Sequence, residues 1–220
     1  MDLYLIILAG GTGTRMNSSV PKQFLPLKKK PVIVHTIEKF LKWNNTIQII
    51  VAANDEYLEM WEKTKKAYFS NLSIATVNGG AERFHSVKNA LQCITSPGIV
   101  ALHDAARPLI STQVINECFK TATENGSAVP VVSLQESLRK ISGDSSLHAN
   151  RADFRIVQTP QVFNAADLKE AYEQEYKSTF TDDASVFESK GRKIHLVKGN
   201  RENIKITEPL DLIIAEALIN

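Results

Sequence analysis

The sequence predicts an α/β fold: a doubly wound, mostly parallel sheet with a β-arm projecting from it. Three observations lead there. Short apolar runs at 5–9, 47–53, 72–77, 99–102 and 128–134 alternate with stretches of helical periodicity. The first run, Leu5-Ile6-Ile7-Leu8-Ala9, is apolar at every position, as a strand buried on both faces must be. Beyond residue 135 the alternation stops, and two strand-like segments flank a long polar stretch.

Composition bounds the function. The chain has 220 residues, which suits one domain over 1–220 with an arm at about 136–158. A formal net charge of +2 gives no global electrostatic case for nucleic acid. No apolar run approaches the length of a membrane span. The N-terminus opens with Asp2 and has no basic leader, so it reads as a first strand, and a cytoplasmic protein is expected. Cys93 and Cys118 each fall on an apolar helical face and are expected as reduced core residues.

In chain order, Ile33, Val34, Ile37, Phe40 and Leu41 recur at helical spacing. Asn54 or Asp55 caps a helix through about Phe69, with Tyr57, Trp61 and Tyr68 on one buried face. A second glycine turn, Asn78-Gly79-Gly80-Ala81, opens a helix striped by Phe84, Val87, Leu91 and Ile94. Val114, Ile115, Cys118, Phe119 and Ala122 mark the next helix. The arm reads as strands at 136–141 and 154–158, joined by a polar turn at 142–153. Such an arm leaves unpaired edges unless another chain covers them, which motivates a homodimer. A helix then runs to about Lys177, and Thr181-Asp182-Asp183-Ala184-Ser185 caps another with Val186 and Phe187 buried. A strand at 193–197 and a closing helix with Leu210, Ile213, Ile214 and Leu218 complete the chain.

The chemistry concentrates in three places. Gly10, Gly11 and Gly13 follow the first strand, so backbone N–H groups can approach a phosphate there. Arg15 and Lys22 add two cations just beyond. The loop is not a Walker A motif, and Met16 stands where a dinucleotide fingerprint needs its third small residue. A nucleoside triphosphate site is the functional reading, and an ordinary glycine turn is the plain one. Around Gly79 and Gly80 a flat base can lie on bare backbone, and Ser86 can bond a ribose hydroxyl or a base edge; a simple strand-to-helix turn is the alternative. Asp104 ends the fourth strand, where open parallel sheets bind ligands, and suits a Mg²⁺ beside a triphosphate. Arg107 reads as scaffold.

These motifs together resemble the sugar-phosphate cytidylyltransferases, and within them the branch acting on 2-C-methyl-D-erythritol 4-phosphate. The resemblance covers nearly the whole chain. It rests on residues 9–16, Pro21-Lys22-Gln23, Gly79-Gly80-Ala81-Glu82-Arg83, His103-Asp104-Ala105-Ala106-Arg107-Pro108, Gln158-Thr159-Pro160-Gln161, Thr181-Asp182-Asp183-Ala184-Ser185 and Asn203-Ile204-Lys205-Ile206-Thr207. It implies a Rossmann-like sheet of the nucleotidyltransferase type, an arm used for dimerisation, and transfer of a cytidylyl group from CTP to a small sugar-alcohol phosphate. It also implies Mg²⁺ or another divalent cation on Asp104. By the same resemblance, Arg15 and Lys22 stabilise the transition state, and Ala9, Gly10, Gly11, Thr12 and Gly13 cradle the triphosphate. Gly79, Gly80, Ala81 and Ser86 hold cytosine and ribose. Lys205, Thr181 and Thr159 face the sugar phosphate. Arg151 reaches it from a neighbouring subunit's arm. Two departures stand out. Gly10 replaces an alanine common in the family, and Ser137 stands near a position where the arm often carries threonine. The sister branch acting on ribitol 5-phosphate prefers valine at the position of Ala106 and lacks the form of Thr181 to Ser185 found here. Both features favour methylerythritol phosphate. A non-catalytic nucleotide-binding regulator on the same fold is the rival of another class, and Arg15, Lys22, Asp104 and Lys205 together argue against it.

Overall fold

The computed structural model describes residues 1–11, 13–16 and 18–219. Its centre is an eight-stranded sheet. Strand β1 (Asp2–Ala9) lies in the middle, and a short hairpin, β2 (Pro26–Leu27) and β3 (Lys30–Pro31), follows the glycine loop. Helix α1 (Val32–Trp43) leads to β4 (Gln48–Ala53), and α2 (Leu58–Tyr68) leads to β5 (Ile74–Asn78). Then come α3 (Arg83–Leu91), β6 (Gly98–Asp104), α4 (Thr112–Asn125) and β7 (Ser127–Ser133). The arm holds β8 (Leu138–Ser142) and β9 (Ser145–Ala149). The chain closes with β10 (Arg155–Val157), β11 (Gln161–Asn164), α5 (Ala165–Ala171), α6 (Asp183–Glu188), β12 (Leu196–Lys198) and α7 (Pro209–Leu218).

The order across the sheet is β10-β7-β11-β6-β1-β4-β5, with β12 also paired to β7. β1 pairs in parallel with both β4 and β6, and β4 with β5. β11 is antiparallel to both β6 and β7, so one reversed strand sits inside a mostly parallel sheet. The chain winds outward from β1 in both directions. That opens a crevice at the carboxyl ends of β1 and β6, the place where such sheets bind ligands.

The unbroken apolar run of β1 is explained by burial on both faces. Leu5, Ile7 and Ala9 pack with α1, α2 and α4 residues such as Ile37, Trp61 and Val114. Tyr4 and Ile6 pack on the other side with Phe84, Val87 and Leu168. A third cluster joins Met16, Leu27 and Ala106 to Ile206 and Ala215, which seats α7 behind the crevice.

Five expectations are corrected. The arm is a tight hairpin, with Ser142 opposite Ser145 and Gly143 at φ +57°, the backbone that two-residue hairpin turns demand. Residues 155–157 leave the arm and pair with β7 in the main sheet, because Ile156 and Val157 find a partner edge there. Cys93 lies past the end of α3 and is exposed, whereas Cys118 is buried and its thiol is pushed up by desolvation. Tyr68 is exposed although Trp61 is fully buried, because α2 ends at Tyr68 and only its middle meets the sheet. The helix expected to reach Lys177 stops at Ala171.

Candidate active site

The first wall of the crevice is the loop after β1. Gly13 has φ +69°, and a side chain there would bring a Cβ 3.2 Å from the Lys22 backbone nitrogen. Glycine is therefore required both for conformation and for close packing. The short turn Lys22–Phe24 packs against that loop. Lys22 is 9% exposed and lines the cavity. Burial, then the neighbouring Lys205, lowers its pKa from 10.5 to about 8; Asp104 opposes this, while Arg15 and Arg107 add to it. A cation held this way is under-neutralised by protein and matched to an anionic ligand. Thr12 falls outside the described residues.

The second wall is the loop after β5. Gly79 donates to the Ala53 carbonyl at 2.6 Å, and a Cβ on Gly80 would collide with the His85 Cβ. The Ser86 hydroxyl accepts from the Gly80 N–H at 3.0 Å and donates to the Glu82 carbonyl at 3.3 Å. Its first task is thus to shape the glycine loop, although it also lines the cavity.

The floor is Asp104 at the end of β6. Its Oδ2 meets Arg107 Nε at 3.0 Å and Lys205 Nζ at 3.1 Å. Burial penalises the Asp104 charge heavily, yet Lys205, Arg83 and Arg107 outweigh that penalty and hold the carboxyl ionised well below the usual carboxylate range. Arg107 also donates to the Asn203 carbonyl at 2.8 Å, which ties the β6 turn to the segment carrying Lys205. Beneath Asp104, its backbone N–H donates to Thr159 Oγ1 at 3.2 Å. Thr159 Oγ1 lies 3.0 Å from His103 Nδ1, and His103 Nε2 lies 3.1 Å from the Arg107 carbonyl. That carbonyl can only accept, so His103 carries its proton on Nε2 and accepts the Thr159 hydroxyl at Nδ1. Full burial lowers His103 to about 4 and keeps it neutral.

A cavity of about 390 Å³ joins these walls, lined by Gly10, Gly11, Lys22, Ala81, Ser86, Asp104 and Lys205 among others. A second, of about 320 Å³, adjoins it through Arg83, Asp104 and Lys205 and adds Arg107, Thr159 and Thr181. Asp104 and Lys205 stand between the two hollows. Arg15 sits exposed on the turn past the glycine loop. Ser137 and Arg151 line neither cavity: Arg151 is on the arm, donating to the Gln135 carbonyl.

Two further residues of these motifs contribute to the site. Gln23, two residues past Pro21, bonds the glycine loop itself. Arg83 forms a two-point ion pair with buried Asp183. Their membership of motifs that already held active-site candidates was the available signal.

A family model described as 2-C-methyl-D-erythritol 4-phosphate cytidylyltransferase matches residues 3–220. A relative of that name from Bacteroides thetaiotaomicron is 45% identical over 219 residues, covering 100% of both chains. Another from Bacillus cytotoxicus is 37% identical over 98% of this chain and 97% of its own. The crystal structure of the Thermus thermophilus protein so named has a TM-score of 0.79 at 30% identity, covering 99% of this chain and 98% of that one. With the motifs assembled around one crevice and the match running end to end, this chain belongs to the 2-C-methyl-D-erythritol 4-phosphate cytidylyltransferase family.

Proposed function

We propose that the protein transfers a cytidylyl group from CTP to 2-C-methyl-D-erythritol 4-phosphate, releasing pyrophosphate. The product is 4-diphosphocytidyl-2-C-methyl-D-erythritol, an intermediate of non-mevalonate isoprenoid synthesis. The family match carries the substrate pair. The observation that carries the chemistry is the cluster of three cations, Lys22, Lys205 and Arg107, around the single carboxylate of Asp104, set between two adjoining hollows.

A phosphate oxygen of the sugar phosphate attacks the α-phosphorus of CTP, and the bond to the bridging oxygen of pyrophosphate breaks. The attacking oxygen is already anionic, so no strong base is needed. Positioning and neutralisation of gathering charge supply the rate. The N–H groups of Gly10, Gly11 and Gly13 cradle the triphosphate. Lys22 and Arg15 meet the phosphoryl oxygens as charge builds. Gly79, Gly80 and Ala81 receive the cytosine, with Ser86 shaping that loop. Lys205, Thr181 and the Arg107 side of the second hollow hold the sugar phosphate, and Thr159 supports Asp104 from below.

The donor set fits a divalent cation that arrives with the nucleotide. Among the described residues no three His, Cys, Asp or Glu side chains cluster as a metal cage. Mg²⁺ commonly binds through one or two carboxylates plus phosphate oxygens, and Asp104 is a carboxylate lining the cavity at the end of β6. Bound there, the ion would neutralise and orient the triphosphate. Further parts of the reading are a homodimer in which the arm brings Arg151 and Ser137 to a neighbour's second hollow, a single domain over the chain, and a cytoplasmic location. Among the described residues no helix is long and apolar enough to cross a membrane.

The test is pyrophosphate release with CTP and Mg²⁺, run with methylerythritol phosphate and ribitol 5-phosphate in turn. Turnover with methylerythritol phosphate supports the reading. Preference for ribitol phosphate, or CTP binding without turnover, overturns it.

A further inference from the structure

We propose that Gln23 is a positioning residue that sets the orientation of the triphosphate-binding loop. This rests on the cytidylyltransferase reading and extends it to a side chain with no assigned role.

Gln23 is 2% exposed and sits on the short turn behind the glycine loop. Its Nε2 donates to the Ala9 carbonyl at 2.7 Å and to the Gly11 carbonyl at 3.1 Å. Only the amide NH₂ can face two carbonyl oxygens, so both its protons are committed to the loop. Carbonyl and N–H point in opposite directions across a trans peptide. Holding the Ala9 carbonyl inward therefore turns the Gly10 N–H the other way. Among the described residues, neither the Gly10 nor the Gly11 N–H has a protein acceptor. Both residues line the cavity.

The loop cannot hold this shape unaided. Gly10 and Gly11 lack the Cβ that limits backbone rotation, so either peptide turns over readily. A turned peptide would aim a carbonyl at a triphosphate and change attraction into repulsion. Gln23 prevents that at the Ala9–Gly10 peptide, whose carbonyl it holds from behind, while Lys22, its neighbour on the same turn, enters the cavity; the Lys22 Cε lies 4.0 Å from where a Gly11 Cβ would be. The turn after Pro21 thus acts on the ligand twice, directly through Lys22 and indirectly through Gln23. Burying an amide here is otherwise wasteful, since an apolar side chain of equal size would pack without desolvation.

The test uses the full-length protein and two variants. Gln23→Met keeps length and removes both donors. Gln23→Glu places a carboxyl against two carbonyl oxygens, where it regains one O–H donor when protonated. CTP and inorganic tripolyphosphate affinities are measured by calorimetry, and KM for both substrates by steady-state kinetics. Gln23→Met should weaken CTP and tripolyphosphate about 10–100-fold, with the sugar-phosphate KM little changed. Relative to wild type, Gln23→Glu should recover affinity as pH falls from 8 to about 5.5, and Gln23→Met should not; a purely structural role would move neither ratio. Should Gln23→Met not fold, the Gln23→Glu profile decides alone. Wild-type affinity in either variant across that range overturns the proposal. Tripolyphosphate binding keeps it separable from the reading above, since failure of wild-type turnover would sink the reaction while leaving the loop measurement intact.

Discussion

Arg83 and Asp183, one hundred residues apart in sequence, meet in a two-point ion pair at 2.6 and 2.5 Å. Asp183 is fully buried and also accepts the Tyr172 hydroxyl at 2.7 Å. Arg83 opens α3 just after the second glycine loop, and Asp183 opens α6 just after Thr181. The pair therefore joins the proposed base-binding loop to the edge of the second hollow. Asp183→Asn should cost about 3 kcal/mol in urea unfolding, the low end for breaking a buried pair, because the guanidinium is about one-third exposed. It should also raise KM for both substrates. An unfolding midpoint equal to wild type would refute the structural role.

Lys22 should trade stability for rate. Its folded pKa of about 8 lies below its ordinary 10.5, so below pH 8 the folded state carries a charge it would rather lose. Between pH 8 and 10.5 the unfolded chain binds more protons, and stability rises with pH. Lys22→Met should then be more stable than wild type at pH 7, by about 1–3 kcal/mol. The same variant should lose about 10²–10³ in kcat, like removal of one oxyanion donor. In the wild type, kcat/KM should fall above about pH 8 as the free enzyme's Lys22 deprotonates. Thermal melts and pH-rate profiles check each part, and a Lys22→Met protein that binds CTP weakly at normal kcat would make Lys22 a binding residue only.

His103 makes acid stability readable at one residue. Its folded pKa is about 4 against an ordinary 6.5, so the unfolded chain takes up a proton first. The contribution is fully present above pH 6.5 and is lost as pH falls toward 4, amounting to about 2–3 kcal/mol. Asp104 is depressed too, and its contribution disappears only below the ordinary carboxylate range. Urea unfolding at pH 7, 5.5 and 4.5 should show a shallower pH slope for His103→Gln than for wild type. Equal slopes would mean that His103 takes up its proton as readily in the folded protein as in the unfolded chain.

Arg151 is predicted to act across the dimer. Arg151→Ala should raise KM for the sugar phosphate about 10-fold or more, as loss of a charged hydrogen bond does, and leave CTP affinity unchanged. Mixing Arg151→Ala with Lys22→Ala subunits should restore part of the activity, since one composite site per heterodimer would be intact. Heterodimers that form and stay inactive would place Arg151 outside the partner's site.

Local patterns in the chain carried much of this. The apolar run of β1, the glycines beyond it, and the position of Asp104 at a strand end are written in neighbouring residues. Periodicity and glycine chemistry act over a few residues, so they survive without tertiary context. The candidate site was legible for the same reason: Lys22, Ser86, Asp104 and Lys205 each sit in a short motif, and the fold brings all four to one cavity. What a single strand of letters could not decide was partnership over distance. Whether residues 155–157 belong to the arm or to the main sheet depended on the free edge of β7. Cys93 looked apolar-faced until the end of α3 left it outside the packed layer. That the Ser86 hydroxyl serves Gly80, that Gln23 holds the Ala9 and Gly11 carbonyls, and that Arg83 pairs with Asp183 all follow from three-dimensional distance. Buried polar groups must find partners wherever the fold supplies them, and only the assembled structure says which partner is in reach.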